Sequence, residues 1–236
     1  MPRYHTVLLD ADNTLFDFNA SEMLALNAVF TARGYTPDEE TIAVYLEINS
    51  ALWEAFARGE VEQDFLLEER FRRFVQVMGG DHDAAQFNLD YQKALAANGV
   101  LIPGALELCR RLAAAGCTLA IITNGAAIAQ RGRYAASPLR QYIPRLFISQ
   151  ELGVGKPDPL FFDTVCRELD LTDRSGAVVV GDSLSADIVG GNRAGIDTIW
   201  YDPRRAPLTG PAQPTYTTEN FDQVEQIILA SPAKEQ

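Results

Sequence analysis

Histidine and cysteine are scarce in this sequence of 236 residues, which holds two histidines and three cysteines. His5 stands at the start of the first apolar run, His82 stands in a Gly-Gly-Asp-His-Asp turn, and no serine occurs in a GxSxG segment. These absences disfavour a Ser-His-Asp triad and a histidine-rich zinc site. Any hydrolytic chemistry on this chain would therefore belong to carboxylates.

The cysteines are Cys109, Cys117 and Cys166, an odd number without CxxC spacing, which favours buried thiols in a reducing compartment. The N-terminus lacks the pattern of a secretory signal, and no apolar run approaches the ~20 residues needed to span a bilayer. We therefore expect a cytoplasmic protein without a membrane partner. The sequence leaves its oligomeric state open.

Basic residues are also few, 20 against 32 acidic ones, which gives a formal charge of −12. This balance disfavours a nucleic-acid polymer or an anionic membrane as partner, because both need a basic surface. A small anionic substrate remains compatible, since a local lysine, helix N-termini and a bound cation can create a positive pocket.

Short apolar runs alternate with helical segments along most of the chain, which predicts an α/β fold with a Rossmann-like parallel sheet. The predicted strands are Val7–Leu9, Thr118–Ile122, Leu146–Ile148, Val178–Val180 and Thr198–Trp200. Two predicted helices end at glycines, Leu106–Ala115 at Gly116 and Ala186–Ala194 at Gly195.

Residues 17–97 interrupt this alternation with helical patterns alone. The segment Thr36-Pro37-Asp38-Glu39 resembles a capping box with proline at the first helical position, and a later helix should end at Gly79-Gly80. We expect 17–97 to form an inserted all-helical cap domain on a core built from 1–16 and 98–236. The tail Ser231–Gln236 is expected to be frayed.

Two aspartates, Asp10 and Asp12, directly follow the first predicted strand. Carboxylates so close together repel each other and are costly to desolvate unless a cation or a shared proton compensates. One of them can act as a nucleophile and the other as an acid/base, with a metal ion holding both.

Three further polar segments join this pair, and most of them stand at predicted strand ends. They are Thr123-Asn124-Gly125, Gly155-Lys156-Pro157-Asp158-Pro159 and Gly181-Asp182-Ser183-Leu184-Ser185-Ala186-Asp187. Each segment alone is more often a plain turn, a loop or a helix cap. Because ligands bind beyond the carboxyl ends of parallel strands, the complete set predicts one convergent site.

The predicted site combines the groups that phosphoryl transfer needs. Asp10, Asp12 and Asp182 offer hard oxygen ligands suited to Mg²⁺. Thr123 offers a hydroxyl and Asn124 a backbone N–H for phosphate oxygens, while a lysine supplies a point charge. These groups indicate transfer through an aspartyl-phosphate.

In this order, the four segments resemble the motifs of the haloacid dehalogenase-like (HAD) superfamily over nearly the whole chain. The resemblance implies that Asp10 is the nucleophile and Asp12 the general acid/base, while Thr123 and Lys156 hold the phosphoryl group. An aspartate at position 12 implies phosphatase or mutase activity, because the dehalogenases carry an aromatic residue there. A mutase is the less favoured of the two.

The same resemblance implies a magnesium site. Its ligands would be Asp10, the backbone carbonyl of Asp12, and Asp182, with Asp187 supporting the metal or its waters.

Longer strings are similar to the YjjG-like pyrimidine 5′-nucleotidases. They are DADNTLFDF, ITNG, ISQELGVGKP, GDSLSADIVGGNRAGIDTIWYDP and PTYT. This resemblance implies a phosphatase of nucleoside monophosphates such as UMP, dUMP and dTMP. Two alternatives remain: a phosphatase of another small metabolite, such as phosphoglycolate or a sugar phosphate, and a non-catalytic regulatory protein on the same fold.

Substrate selection should depend on the cap, since the core residues contact only phosphate. Asn49 interrupts an apolar stripe that includes Trp53, so it is either a core-edge amide bonded to the backbone or a group that contacts a base or sugar. Arg131 and Arg133 could reach a nucleotide, but the sequence favours solvated side chains for both.

Overall fold

A six-stranded parallel sheet forms the centre of the protein, in a computed structural model that describes residues 2–230. The strands, in the spatial order β3-β2-β1-β4-β5-β6, are β1 (Thr6–Leu9), β2 (Thr118–Thr123), β3 (Arg145–Ile148), β4 (Ala177–Gly181), β5 (Asp197–Tyr201) and β6 (Tyr216–Thr218). The predicted α/β fold is confirmed. The short edge strand β6 was not predicted.

The central strands are buried on both faces of the sheet, which explains their continuous apolar sequence. Val7 and Leu9 of β1 pack into one hydrophobic cluster, together with Val178 and Val180 of β4. Leu8 points the other way and packs into a second cluster. Successive side chains of a strand alternate between faces, so each three-residue run contributes to two cores.

Ten helices surround or extend this sheet in the described residues. They are α1 (Phe18–Ala32), α2 (Glu39–Ala57), α3 (Gln63–Met78), α4 (Ala84–Ala97), α5 (Ala105–Ala114), α6 (Ala127–Ala136), α7 (Ser149–Leu152), α8 (Pro159–Glu168), α9 (Val189–Ala194) and α10 (Phe221–Leu229). Within residues 2–230, no helix has both the length and the apolar character required to cross a membrane.

The helix ends predicted at glycines are confirmed, whereas two predicted helix N-termini are wrong. Gly79 and Gly195 cap α3 and α9 with positive φ values of 77° and 65°. The capping box at Thr36 is wrong by two residues: Asp38 is the N-cap, and its carboxylate accepts a hydrogen bond from the Thr41 N–H at 2.9 Å. The helix predicted from Ala186 to Ala194 begins instead as a π-helical turn, Leu184–Ile188, followed by α9.

Helices α1 to α4 form a block around their own aromatic core. The rings of Phe30 and Phe74 stack with centroids 4.6 Å apart, and those of Phe71 and Phe87 stack at 4.5 Å. Stacked and edge-on aromatic pairs add to the stabilisation from burial itself. The block therefore has a hydrophobic core separate from those of the sheet.

The helical block contacts the sheet region where the chain enters and leaves it, and also through helix α4. The chain enters and leaves it side by side, because Phe16 forms an antiparallel bridge with Leu101. Helix α4 also packs closely on α6, where a Cβ on Gly132 would collide with Ala96. Glycine is required at this position because the two helices approach so closely.

The three cysteines are buried and unpaired with one another, as predicted. The tail expected to be frayed, Ser231–Gln236, lies outside the described residues.

Candidate active site

The strand order brings the sequence motifs together at one edge of the sheet. Strand β1 lies between β2 and β4, and all three run parallel, with Leu9 level with Ile121 on one side and Val180 on the other. Asp10, Thr123 and the loop after Gly181 therefore lie side by side at the carboxyl ends of these three strands. Distant segments converge here because parallel strands end at a common edge.

Lys156 contacts several of the other site residues and is almost fully buried, at 5% exposure. Its ammonium group donates to Oδ1 of Asp10 at 2.6 Å, to Oδ1 of Asp187 at 2.6 Å and to the carbonyl of Ile122 at 3.0 Å. An ammonium has three donors, so all of them are used. Burial of this charge is tolerable because two carboxylates pair with it.

Asp10, Asp182 and Asp187 present carboxylate oxygens that all lie within 4.8 Å of one another. Burial raises the pKa of Asp10 well above its usual range, even though Lys156 acts in the opposite direction. Burial, followed by the charge of Asp187, raises the pKa of Asp182 to about 7. One ammonium group therefore does not neutralise this cluster, which favours a second cation.

The pKa of Lys156 is also raised. Burial alone would lower its pKa, but the charges of Asp10 and Asp187 outweigh burial and raise it above its usual range. The ammonium therefore remains charged at neutral pH.

Several hydrogen bonds fix the loop after β4. The Asp182 N–H donates to the Thr14 hydroxyl at 3.2 Å, and the Trp200 indole N–H donates to the Asp182 carbonyl at 2.9 Å. The second oxygen of Asp187 accepts the Ser183 N–H at 3.1 Å. One oxygen of Asp187 thus orients Lys156, and the other stabilises the turn from Ser183 to Asp187. Neither contact was predicted from the sequence.

Thr123 and Asn124 stand where the sequence places them, at the end of β2. The Thr123 hydroxyl accepts the Gly125 N–H at 3.0 Å, which shapes the turn. The Asn124 amide makes a reciprocal pair with the backbone of Lys156, donating to its carbonyl at 2.7 Å and accepting its N–H at 2.9 Å. This side-chain link between two motif loops was not predicted.

Asp12 has two side-chain partners on α6 that the sequence interpretation missed. Gln130 donates to its Oδ2 at 2.6 Å, and an Nη2 of Arg133 lies 2.7 Å from its Oδ1. The expectation that Arg133 is solvated is wrong, since the residue is 1% exposed, whereas Arg131 is exposed and pairs with Glu151. The buried positions 129, 130 and 133 share one helix face, and this spacing was the available signal.

A cavity of about 1120 Å³ lies above these residues and extends to the helical block. Its upper wall includes Asn49, Trp53, Phe56, Gln63, Leu67, Arg70 and Gln92. Asn49 is buried, and the first of its two alternatives, a bond to the backbone, is replaced by a side-chain bond: its Oδ1 accepts a hydrogen bond from Arg70 at 3.1 Å. The cavity therefore has carboxylates and a lysine at one end, and aromatic and amide groups at the other.

Known proteins resemble this chain closely. Residues 4–195 match the family model described as "haloacid dehalogenase-like hydrolase". The chain is 35% identical to the pyrimidine 5′-nucleotidase PynA of Streptococcus pneumoniae, over 92% of each chain. It is 29% identical to the pyrimidine 5′-nucleotidase YjjG of Escherichia coli, over 96% of this chain and 98% of that one. The magnesium-bound crystal structure of the HAD-hydrolase YfnB of Bacillus subtilis superposes with a TM-score of 0.89 at 33% identity, covering 96% and 99% of the two chains.

Proposed function

The chain belongs to the haloacid dehalogenase-like hydrolases, and on that premise we propose that it is a Mg²⁺-dependent phosphatase of pyrimidine nucleoside 5′-monophosphates. One observation carries the chemical part of this proposal: buried Lys156 contacts Asp10 at 2.6 Å while Asp12 lies at the same cavity. The similarity to two pyrimidine 5′-nucleotidases supports the substrate class.

In the proposed first step, a carboxylate oxygen of Asp10 attacks phosphorus and the bond from phosphorus to the sugar oxygen breaks. The carboxylic acid of Asp12 gives its proton to the departing oxygen, which leaves as the nucleoside hydroxyl. Thr123, the Asn124 N–H and Lys156 hold the remaining phosphate oxygens. The product of this step is an aspartyl-phosphate on Asp10.

In the second step, the Asp12 carboxylate takes a proton from a water molecule, and the water oxygen attacks phosphorus. The bond between phosphorus and Asp10 breaks, which releases inorganic phosphate and restores both carboxyl groups. Asp12 therefore moves one proton in each direction during a complete turnover. Water is the second reactant, and no oxidant is needed.

The donor set fits Mg²⁺, a hard cation that prefers oxygen ligands. Asp10, Asp182 and the backbone carbonyl of Asp12 would hold the ion, and Asp187 would support it. The three carboxylates of Asp10, Asp182 and Asp187 outnumber the single ammonium of Lys156, and a divalent cation would offset this excess negative charge. When bound, Mg²⁺ neutralises charge on the phosphoryl oxygens.

We propose that residues 17–97 act as the cap domain, and that its cavity wall receives the nucleoside. Trp53 and Phe56 meet edge-on, with ring centroids 5.6 Å apart, and offer apolar surface to a base. Gln92 is buried and lines the cavity. An amide can pair with the donor and acceptor edge of a pyrimidine. The net charge of −12 supports free nucleotides in the cytoplasm as substrates, rather than nucleic acid.

A panel of phosphate esters assayed with Mg²⁺ tests this function. It should include UMP, dUMP and dTMP, a purine nucleotide, phosphoglycolate, sugar phosphates and p-nitrophenyl phosphate. We expect higher kcat/KM for the pyrimidine nucleotides than for the other metabolites. A preference for phosphoglycolate or a sugar phosphate would reassign the substrate, and no turnover of any ester would favour a non-catalytic protein.

A further inference from the structure

Arg133 is a buried cation next to the proposed acid/base. Its guanidinium lies 2.7 Å from the Asp12 carboxylate, which is its one ion-pair partner among residues 2–230. The side chain is 1% exposed, whereas that of Asp12 is 24% exposed. Because an unpaired buried charge is costly, this ion pair restrains the carboxylate as well as the guanidinium.

Two of the guanidinium nitrogens of Arg133 are enclosed, although the residue lines the cavity. Its Nε and Nη1, like Oδ1 of Asp12, are buried and have no hydrogen-bond partner within the described chain, so the contact between Arg133 and Asp12 is an ion pair and not a hydrogen bond. The guanidinium carbon lies 5.2 Å from the ring centroid of Phe16 and 5.8 Å from that of Phe18, so aromatic faces contact the cation. With these two nitrogens enclosed, Nη2 is the nitrogen that makes the charged contact, and its partner is the Asp12 carboxylate.

Gln130, one helical turn earlier, holds the other oxygen of the carboxylate. Its amide donates to Oδ2 of Asp12 at 2.6 Å, and the residue is 2% exposed. The helix that carries both residues is itself fixed by its close approach to α4 at Gly132. Two side chains on one rigid helix therefore define where the Asp12 carboxylate lies.

We propose that Arg133 is a positioning residue that holds the Asp12 carboxylate for proton transfer to the leaving oxygen, with Gln130 as its second support. This inference rests on the proposed phosphatase function. A misplaced acid slows the departure of a poor leaving group, such as a nucleoside alkoxide. It matters less for p-nitrophenolate, which departs readily without a proton.

The test compares kcat/KM for UMP with kcat/KM for p-nitrophenyl phosphate in R133M, R133K and wild type. Methionine retains much of the buried volume without the charge, and lysine restores the charge. In R133M we expect the UMP to p-nitrophenyl phosphate ratio to fall by about 10-fold or more, with the loss mainly in kcat. R133K should recover part of the ratio, and R131M, altered on the exposed side of the same helix, should retain it.

A double variant shows whether Arg133 acts through Asp12. Adding R133M to D12N should cause little further loss, because the group that Arg133 positions is already inactive. Equal losses for both substrates in R133M, or fully additive losses in the double variant, would overturn the proposal. If R133M does not fold, the ratio of kcat/KM for UMP to that for p-nitrophenyl phosphate is measured in Q130M instead. An unchanged ratio in Q130M would then overturn the proposal. Lack of phosphatase activity in the wild-type protein would instead reject the proposed function.

Discussion

Gln63, the first residue of α3, donates from its side-chain amide to the backbone carbonyl of Asn124 at 2.7 Å. This bond joins the helical block to the loop that is proposed to bind phosphate. A second bond lies beside it, from the Gln150 amide to the Asp64 carboxylate at 2.6 Å. These two bonds hold the helical block against the loops at this edge of the sheet.

Loss of the Gln63 bond should favour an open cap. A neutral hydrogen bond contributes about 1 kcal/mol, so Q63A should raise KM for UMP by roughly five-fold. Gln86 is an exposed amide on α4, bonded only within that helix, and Q86A serves as the matched control. Steady-state kinetics on both variants provide the measurement. Equal KM values for Q63A and Q86A would show that the bond does not control closure.

Replacement of the proposed nucleophile should abolish turnover without loss of the fold. D10N removes the attacking oxygen, and we expect kcat to fall by at least about 1000-fold. Lys156 keeps Asp187 as a partner at 2.6 Å, so the melting temperature without metal should not decrease. D163N, on the exposed part of α8, is the control. Retention of most of the activity in D10N would falsify the covalent mechanism.

Metal removal should stop turnover and lower thermal stability. EDTA is expected to abolish hydrolysis of UMP, and added Mg²⁺ should restore it. Mg²⁺ at 100 times its Kd stabilises the folded protein by about 2.7 kcal/mol. Each kcal/mol raises the melting temperature of a protein of this size by about 2–4 °C. Differential scanning fluorimetry should show this shift in wild type and D81N, but a much smaller one in D182N. Full activity in EDTA would contradict the proposed metal site.

Glu22 predicts a pH dependence of stability in the helical block. Burial raises its pKa above the usual 4.5, although the Tyr91 hydroxyl donates to it at 2.8 Å and opposes the shift. A raised folded-state pKa means that its contribution is complete below pH 4.5 and is lost as the pH rises through the shifted value. E22Q stays neutral, so its stability relative to wild type should increase over that interval.

Chemical denaturation of wild type and E22Q at a series of pH values in EDTA measures this difference. The matched control is E47Q, which changes an exposed glutamate on α2. A constant difference between E22Q and wild type from pH 4.5 upwards would count against the assigned shift.

Much of the fold was predictable because its signals are local. The runs around Leu8 and Val179 are apolar at every position, a pattern typical of strands that are buried on both faces of a sheet. Glycine at 79 and 195 marked helix ends because its φ is positive there. Strand β6 was missed since its three residues, Tyr216–Thr218, are recognisable only by pairing with β5.

Candidate site residues were predictable where a motif follows a strand, and not where the partner comes from packing. Asp10 and Asp182 lie together as expected because parallel strands end at a common edge. Arg133 was expected in solvent, since an arginine in a helical segment is usually exposed. Its burial depends on aromatic residues more than a hundred positions earlier in the chain.

The reactive groups of the site and the order of the strands and helices can be predicted from the sequence, because both depend on patterns among neighbouring residues. Tertiary structure alone decided which side chains meet: Arg133 with Asp12, Gln63 with Asn124 and Asn49 with Arg70. The physical reason is that hydrogen bonds and ion pairs act over a few ångströms, and only packing of distant helices brings these groups within that range.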